Sequence, residues 1–192
     1  MKKIFINSAI ILTSFISFSQ DNNAIGLFYG TANSEFLRND RLVGNGSYNF
    51  ENFNKLGIRY LRKINSNFSI ETGVNYTKAD LKINPAFTGI PVSLIEEDFA
   101  LISIPVYANY TLWDLLFING GPIVDFQNSE NLTDSQSGIG YGVGLGAKYN
   151  FKNISIFLNP NFQRHAVIPF KKENHHQKLT EFGIHFGLGY RF

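Results

Sequence analysis

The sequence predicts an all-β chain, an eight-stranded antiparallel transmembrane β-barrel with short periplasmic turns and longer extracellular loops. Three observations carry that expectation. The last fourteen residues place Phe182, Ile184, Phe186, Leu188, Tyr190 and Phe192 on one face and Glu181, Gly183, His185, Gly187, Gly189 and Arg191 on the other, the period-2 signature of a strand between two environments. Eight stretches of this kind are joined by connections that alternate between long and short, the asymmetry of outer-membrane barrels. The N-terminus reads as an export signal, and no later stretch is apolar for long enough to cross a bilayer as a helix.

The signal occupies residues 1–19. Lys2-Lys3 is a short positive region, Ile4 to Phe18 is mainly apolar, and Ser17-Phe18-Ser19 is a small-x-small cleavage site before Gln20. The alternative is an uncleaved anchor, but the apolar run falls short of the roughly 20 residues a spanning helix needs. The barrel domain is then 20–192. The chain of 192 residues has no cysteine, which excludes disulfides, thiolate metal sites and a lipid-modified N-terminal cysteine. Its formal charge is +2, and Lys2 and Lys3 leave with the signal. A near-neutral mature chain argues against a nucleic-acid partner, which requires a basic patch.

Strand one covers Ala24 to Thr31, with Ile25, Leu27 and Tyr29 on one face and Gly26, Phe28 and Gly30 on the other. Ala32 to Asn52, rich in Asn, Gly and charge, reads as a long loop. Strand two, Phe53 to Lys63, turns Leu56, Ile58 and Tyr60 outward and Lys55, Gly57 and Arg59 inward. Strand three, Phe68 to Lys78, turns Ile70, Val74 and Tyr76 outward and Glu71, Gly73, Asn75 and Thr77 inward. Residues facing each other across a hairpin share a face, so a three-residue loop at Ile64-Asn65-Ser66 would set Arg59 directly opposite Glu71 as an interior ion pair. Asp80 to Glu97 is the second long loop. Strand four, Phe99 to Leu112, carries Pro105, which lacks a ladder donor and predicts a local bulge or break. A tight turn at Trp113-Asp114 leads to strand five, Leu115 to Gln127, with Asn119, Gly121 and Asp125 inward. After the third loop, Asn128 to Ser137, strand six alternates Gly138, Gly140, Gly142, Gly144, Gly146, Lys148 and Asn150 with larger apolar residues from Ile139 to Phe151. Lys152-Asn153 is a two-residue turn. Strand seven, Ile154 to His165, turns Ser155, Asn159, Asn161, Gln163 and His165 inward. Ala166 to Gln177 is the fourth loop, and strand eight closes the chain. Tyr60, Phe68, Tyr110, Trp113, Tyr149, Phe151, Tyr190 and Phe192 flank the short turns or the C-terminus, and Tyr29, Tyr76, Phe126, Tyr141 and Phe162 lie towards the long loops. Two aromatic girdles suit a membrane barrel. The rival architecture, a soluble lipocalin-like barrel, would turn its apolar face inward.

Leu101-Ile102-Ser103-Ile104-Pro105-Val106-Tyr107-Ala108-Asn109-Tyr110 resembles the Ile-Pro strand of the bacteroidete outer-membrane β-barrel family, the PorT-like barrel domain. Phe117-Ile118-Asn119-Gly120-Gly121-Pro122, the glycine run from Gly138 to Gly146 and the terminal Gly187-Leu188-Gly189-Tyr190-Arg191-Phe192 are similar to that family too. The resemblance covers the mature chain and implies an outer-membrane barrel. Some members assist a protein-secretion apparatus, but no residue motif here carries that role over.

Candidate sites fall into four groups. His175-His176 sits in the fourth loop, but adjacent histidines on an extended chain point opposite ways and no further ligand completes a set; a solvated loop is the better reading, and no metal or cofactor is expected. His185, Glu181 and Asp125 face the lumen with Ser103 and Ser155, which raises an acid-base constellation. The competing reading is a structural network in which Lys55, Arg59, Lys148 and Arg191 pair with Glu71, Asp125 and Glu181, since charges leaving water must be paired and an eight-strand barrel is just wide enough for side chains to fill. The fourth group is the strand-six glycines. The short turn sets Gly146 opposite Asn159, Gly144 opposite Asn161 and Gly142 opposite Gln163, either as an opening on the lumen wall or as space filled by Phe28, Phe157 or the arginines. The expected role is non-enzymatic, structural or exerted through loops one and two in adhesion, envelope integrity or secretion. A narrow channel is the alternative and an enzyme the least favoured. Expected partners are outer-membrane lipid, barrel-insertion machinery through the strand ending at Phe192, and an extracellular or secretion-apparatus partner at the loops.

Overall fold

Alternating side chains favour strands, and strands in an apolar medium must satisfy every backbone donor and acceptor within the protein, so a sheet there has to close on itself. The computed structural model does so. It describes residues 22–37, 47–84, 94–129, 134–171 and 176–192; the expected signal and His175 lie outside them. The strands are β1 (Asn23–Leu37), β2 (Ser47–Lys63), β3 (Phe68–Asn84), β4 (Ile95–Leu112), β5 (Leu116–Gln127), β6 (Gly138–Phe151), β7 (Ile154–Pro169) and β8 (Lys178–Arg191). Neighbours pair antiparallel in chain order, and β1 pairs with β8, closing the barrel. At the seam Asn23 and Phe192 exchange backbone hydrogen bonds of 3.2 and 2.9 Å.

The two faces are assigned as the alternation requires. Leu27, Val74, Phe186 and Leu188 are each more than half exposed, whereas Lys55, Asp125 and Glu181 are at most 2% exposed. This excludes the lipocalin-like arrangement: the apolar side chains cover the outside and the charges the inside. Register sets Tyr29 beside Leu56, Leu56 beside Tyr76, Tyr76 beside Ile102 and Ile102 beside Phe126, so the aromatics on the long-loop side form a belt rather than a scatter. Trp113, Tyr149, Phe151 and Tyr190 are exposed near the other end.

Five strand-end expectations are corrected. Ala32 to Leu37, Ser47 to Asn52, Asp80 to Asn84, Ile95 to Glu97 and Ala166 to Pro169 are strand, not loop. Strands of 17 and 18 residues in β3 and β4 exceed the 9–11 or so that cross the hydrocarbon layer, so they project beyond it. In the projection the alternation continues with its sense reversed. On β3 the inward positions pass from Glu71, Asn75 and Thr77 to Ala79, Leu81 and Ile83, and the outward ones from Val74 and Tyr76 to Lys78, Asp80 and Lys82. A search for one apolar face loses the strand where the pattern inverts.

The β2–β3 connection is longer than three residues. Lys63 pairs with Ser69, which places Arg59 opposite Gly73 and Glu71 opposite Leu61. Asn65 decides this, because its side-chain oxygen accepts from the backbone N–H of Asn67 and Phe68 at 3.0 and 2.8 Å and closes an Asx-type turn. The β4–β5 turn spans Trp113 to Leu115, since Leu112 pairs with Leu116; Trp113 and Asp114 have φ of 48° and 56°. The Lys152-Asn153 turn is as expected, with Phe151 opposite Ile154. Pro105 interrupts the β3–β4 ladder between Thr72↔Val106 and Asn75↔Ser103 without changing register. The Thr72 hydroxyl donates to the Pro105 carbonyl at 2.9 Å in that gap.

Candidate functional site: the filled lumen

The inward positions of the eight strands meet on the axis, and each strand contributes at a different height because the strands are tilted. Nearest the short turns, the Lys148 Nζ donates to the Thr111 hydroxyl at 2.8 Å, and an Arg191 amino group donates to the Lys152 carbonyl. Above this is an aromatic layer of Phe28, Phe117 and Phe157. The Arg59 guanidinium lies 4.2 Å from the centre of the Phe157 ring, within range of a cation–π contact, and its Nη2 donates to Glu71 at 2.9 Å. Glu71 also accepts from the Asn109 and Asn119 amides at 2.8 and 3.2 Å. The expected Arg59–Glu71 ion pair therefore forms, but diagonally across the hairpin rather than directly opposite, and the carboxylate's remaining capacity is met by amides.

Higher still is a charged layer. Lys55 Nζ contacts Glu181 at 2.6 Å and donates to the Gln163 side chain at 2.8 Å. His165 lies between two carboxylates, its Nδ1 2.9 Å from Asp125 and its Nε2 3.0 Å from Glu181. Asp125 also accepts from the Ser103 hydroxyl at 2.6 Å. The Lys55 ammonium and the two ring nitrogens of His165 therefore face the two carboxylates of this layer, Asp125 and Glu181.

Two assignments change. Lys148 and Arg191 pair with no carboxylate among the described residues. Register puts Lys148 opposite Phe157 and Arg191 opposite Ala24, near the short-turn mouth, below the level of Asp125 and Glu181. His185 is buried but stays outside the charged network; its ring stacks on Phe28 with centroids 4.5 Å apart. An acid-base set of His185, Asp125 and a serine is therefore not assembled. Ser103 meets Asp125 but not His185, and Ser155 faces Gly189 at the opposite end. His165 is the network member that sequence reasoning missed. The inward alternation of strand seven pointed to it, but only closure of the barrel sets β7 between two carboxylates from β5 and β8.

The expected strand-six register holds: Gly142 pairs with Gln163 and Gly144 with Asn161, and Ala147↔Leu158 continues the same register past Gly146. Side chains other than those expected occupy the space above the glycines. A Cβ at Gly142 would meet the Tyr107 hydroxyl, one at Gly144 the Asn119 and Asn159 amides, and one at Gly146 the Phe117 ring. Gly138 and Gly140 face the β7 backbone at Ile168 and Arg164, where the β6–β7 ladder is irregular. Phe28 and Phe157 pack instead over Gly57 and Gly187.

A second cluster closes the long-loop end: Phe53, Ala79, Leu81, Ile83, Phe99, Leu101 and Leu179 are buried together, with Phe36 and Phe50 packed against them. Beside it Gln136 is fully buried; it donates to the Gln177 carbonyl at 2.9 Å and accepts from the Leu179 N–H at 2.8 Å, tying the third connection to the start of β8.

Residues 9–192 match the model of a family described as the outer membrane protein beta-barrel domain. Among solved structures, the chain is similar to the outer membrane protein OprG of Pseudomonas aeruginosa, at 12% identity and a TM-score of 0.55, with 89% of this chain and 96% of that one covered. It is also similar to the outer membrane protein AlkL, solved in DMPC lipid bilayers, at 13% identity and a TM-score of 0.53, with 91% and 92% covered. At these identities the likeness is one of fold. No curated protein matches the sequence.

Proposed function

This chain belongs to the outer membrane protein beta-barrel domain family and resides in the outer membrane of a Gram-negative bacterium; from that premise we propose that it is a non-enzymatic, non-conducting barrel that works through its extracellular end. The observation that carries this reading is the layered filling of the lumen. The Arg59–Glu71 pair, the Lys55–Glu181–His165–Asp125 layer and the apolar cluster around Phe99 lie in series along the axis. A solute pathway would have to disrupt each of them, and separating a buried ion pair is costly.

The working surface is then the projection of β1 to β4 together with the loops it carries. In this reading the contact surface is on Ala32–Asn52 and Asp80–Glu97, parts of which are strand. Outer-membrane lipid is the surrounding partner, and β8 with the Phe192 that follows it is the element offered to insertion machinery. Within the family we group the chain with the bacteroidete PorT-like barrels on its Ile104-Pro105 and Gly120-Gly121-Pro122 motifs, which keeps a secretion-accessory role beside adhesion and envelope integrity.

The test is conductance of the refolded protein in a planar bilayer. Folded protein, verified by its altered gel mobility before and after boiling, should give no steady unitary steps. Reproducible steps would overturn the proposal in favour of a narrow channel.

A further inference from the structure

The short-turn end of the lumen is open and one-sided in charge. A cavity of about 70 Å³ is lined by Arg59, Lys148 and Arg191, with Asn109, Asn150 and Ser155 among its polar walls. It adjoins a second cavity of about 110 Å³ that shares Lys148, Asn150 and Arg191 and adds Lys63, Thr111 and Asp114. Four cations therefore border one vestibule, and Asp114 is the single acidic residue among its described lining. Glu71 lies deeper and is already occupied by Arg59, Asn109 and Asn119. Donor capacity is left over. The Lys148 ammonium has three N–H groups, and one of them serves Thr111. The Nε atoms of Arg59 and Arg191 are buried without a hydrogen-bond partner; the Arg59 side chain is only 8% exposed and reaches the inner cavity.

Deeper in the lumen Lys55 and Arg59 each contact a carboxylate, whereas at this level, among the described lining, Asp114 alone stands against Lys63, Lys148 and Arg191. Buried or half-buried cations need an anion close by, and guanidinium and ammonium groups set around a small space suit the tetrahedral oxygens of a phosphoryl group. Phe117 and Phe157 form part of the wall of the inner cavity. We propose that this vestibule binds a small oxyanion of phosphate type, entered from the periplasm and held by Lys148, Arg191 and Arg59.

The experiment is calorimetric titration of the full refolded barrel in zwitterionic micelles with inorganic phosphate, in dilute chloride buffer. The expected result is saturable one-to-one binding that weakens about tenfold for each of Lys148→Gln and Arg191→Gln, with Lys82→Gln, at the opposite end, binding as the unaltered protein does. Heat that does not saturate, or equal affinity in all variants, would overturn the proposal. Should either variant fail to fold, the unaltered protein decides: phosphate must raise its unfolding midpoint above that in chloride at equal ionic strength, and no rise counts against the site. Glycerol phosphate separates the sources. Weaker binding than inorganic phosphate points to the free ion, and tighter binding to a phosphoryl group on a larger periplasmic solute.

Discussion

The membrane-level barrel and its extracellular projection are built by the same strands with opposite rules. On β3, Val74 and Tyr76 are exposed and apolar while Asn75 and Thr77 are buried and polar; a few residues later Lys78 and Lys82 face out and Ala79, Leu81 and Ile83 are buried. The β3–β4 pairing is continuous through the change, while the β2–β3 register shifts there between Glu51 and Asn54. What differs is the solvent on the outer face. Where lipid lies outside, the outer face is apolar and the inner one holds polar groups that satisfy one another. Where water lies outside, the hydrophobic effect turns the apolar side chains inward. The difference teaches that a period-2 pattern specifies a strand, while its sense reports the medium.

The largest expected effect breaks the polar interior. Glu181→Ala removes the partner of both Lys55 and His165 in a layer that is almost wholly buried. Leaving Lys55 buried without a carboxylate should cost about 3–5 kcal/mol, read as a lower urea midpoint for loss of the folded gel band. A change below about 1 kcal/mol would mean that the layer is not desolvated.

Phe99→Ala should come next, at about 3 kcal/mol, and should differ in kind. Phe99 belongs to the apolar cluster beyond the membrane, so its loss should open the projection locally. Limited proteolysis from outside should cut β2–β4 sooner while the folded band persists, whereas for Glu181→Ala the two measurements should move together. Coincident changes in Phe99→Ala would show that the two regions unfold as one unit.

The smallest effects compare two outward positions on one strand. Lys78 forms an exposed 3.8 Å ion pair with Asp98, and Lys78→Ala should change stability by less than about 1 kcal/mol. Val74→Arg, four residues away on the lipid side, should cost about 2–4 kcal/mol. Equal costs at both sites would place the membrane boundary elsewhere on β3.

Much of this molecule was legible in its sequence because membrane strands must alternate. The face of Leu188, the extent of β6, the two-residue turn at Lys152-Asn153 and the inward positions of Lys55, Arg59, Glu71, Asp125 and Glu181 all follow from period-2 reading. The strand extensions were hidden by the inversion near Lys78. Hairpin register was legible where a turn had only two residues to use, and misread where the Asn65 side chain chose a longer closure.

The sequence by itself determined the fold class, the outward apolar face, the strand count and which residues of the membrane-level strands point inward, because the alternation is read from neighbours two positions apart. Which inward residues meet was decided by the tertiary structure alone. Shear and closure bring residues distant in sequence to one height. Thus His165 of β7 lies between Asp125 of β5 and Glu181 of β8, Tyr107 lies over Gly142, and Lys148 and Arg191 are left at the periplasmic mouth, paired with no carboxylate among the described residues.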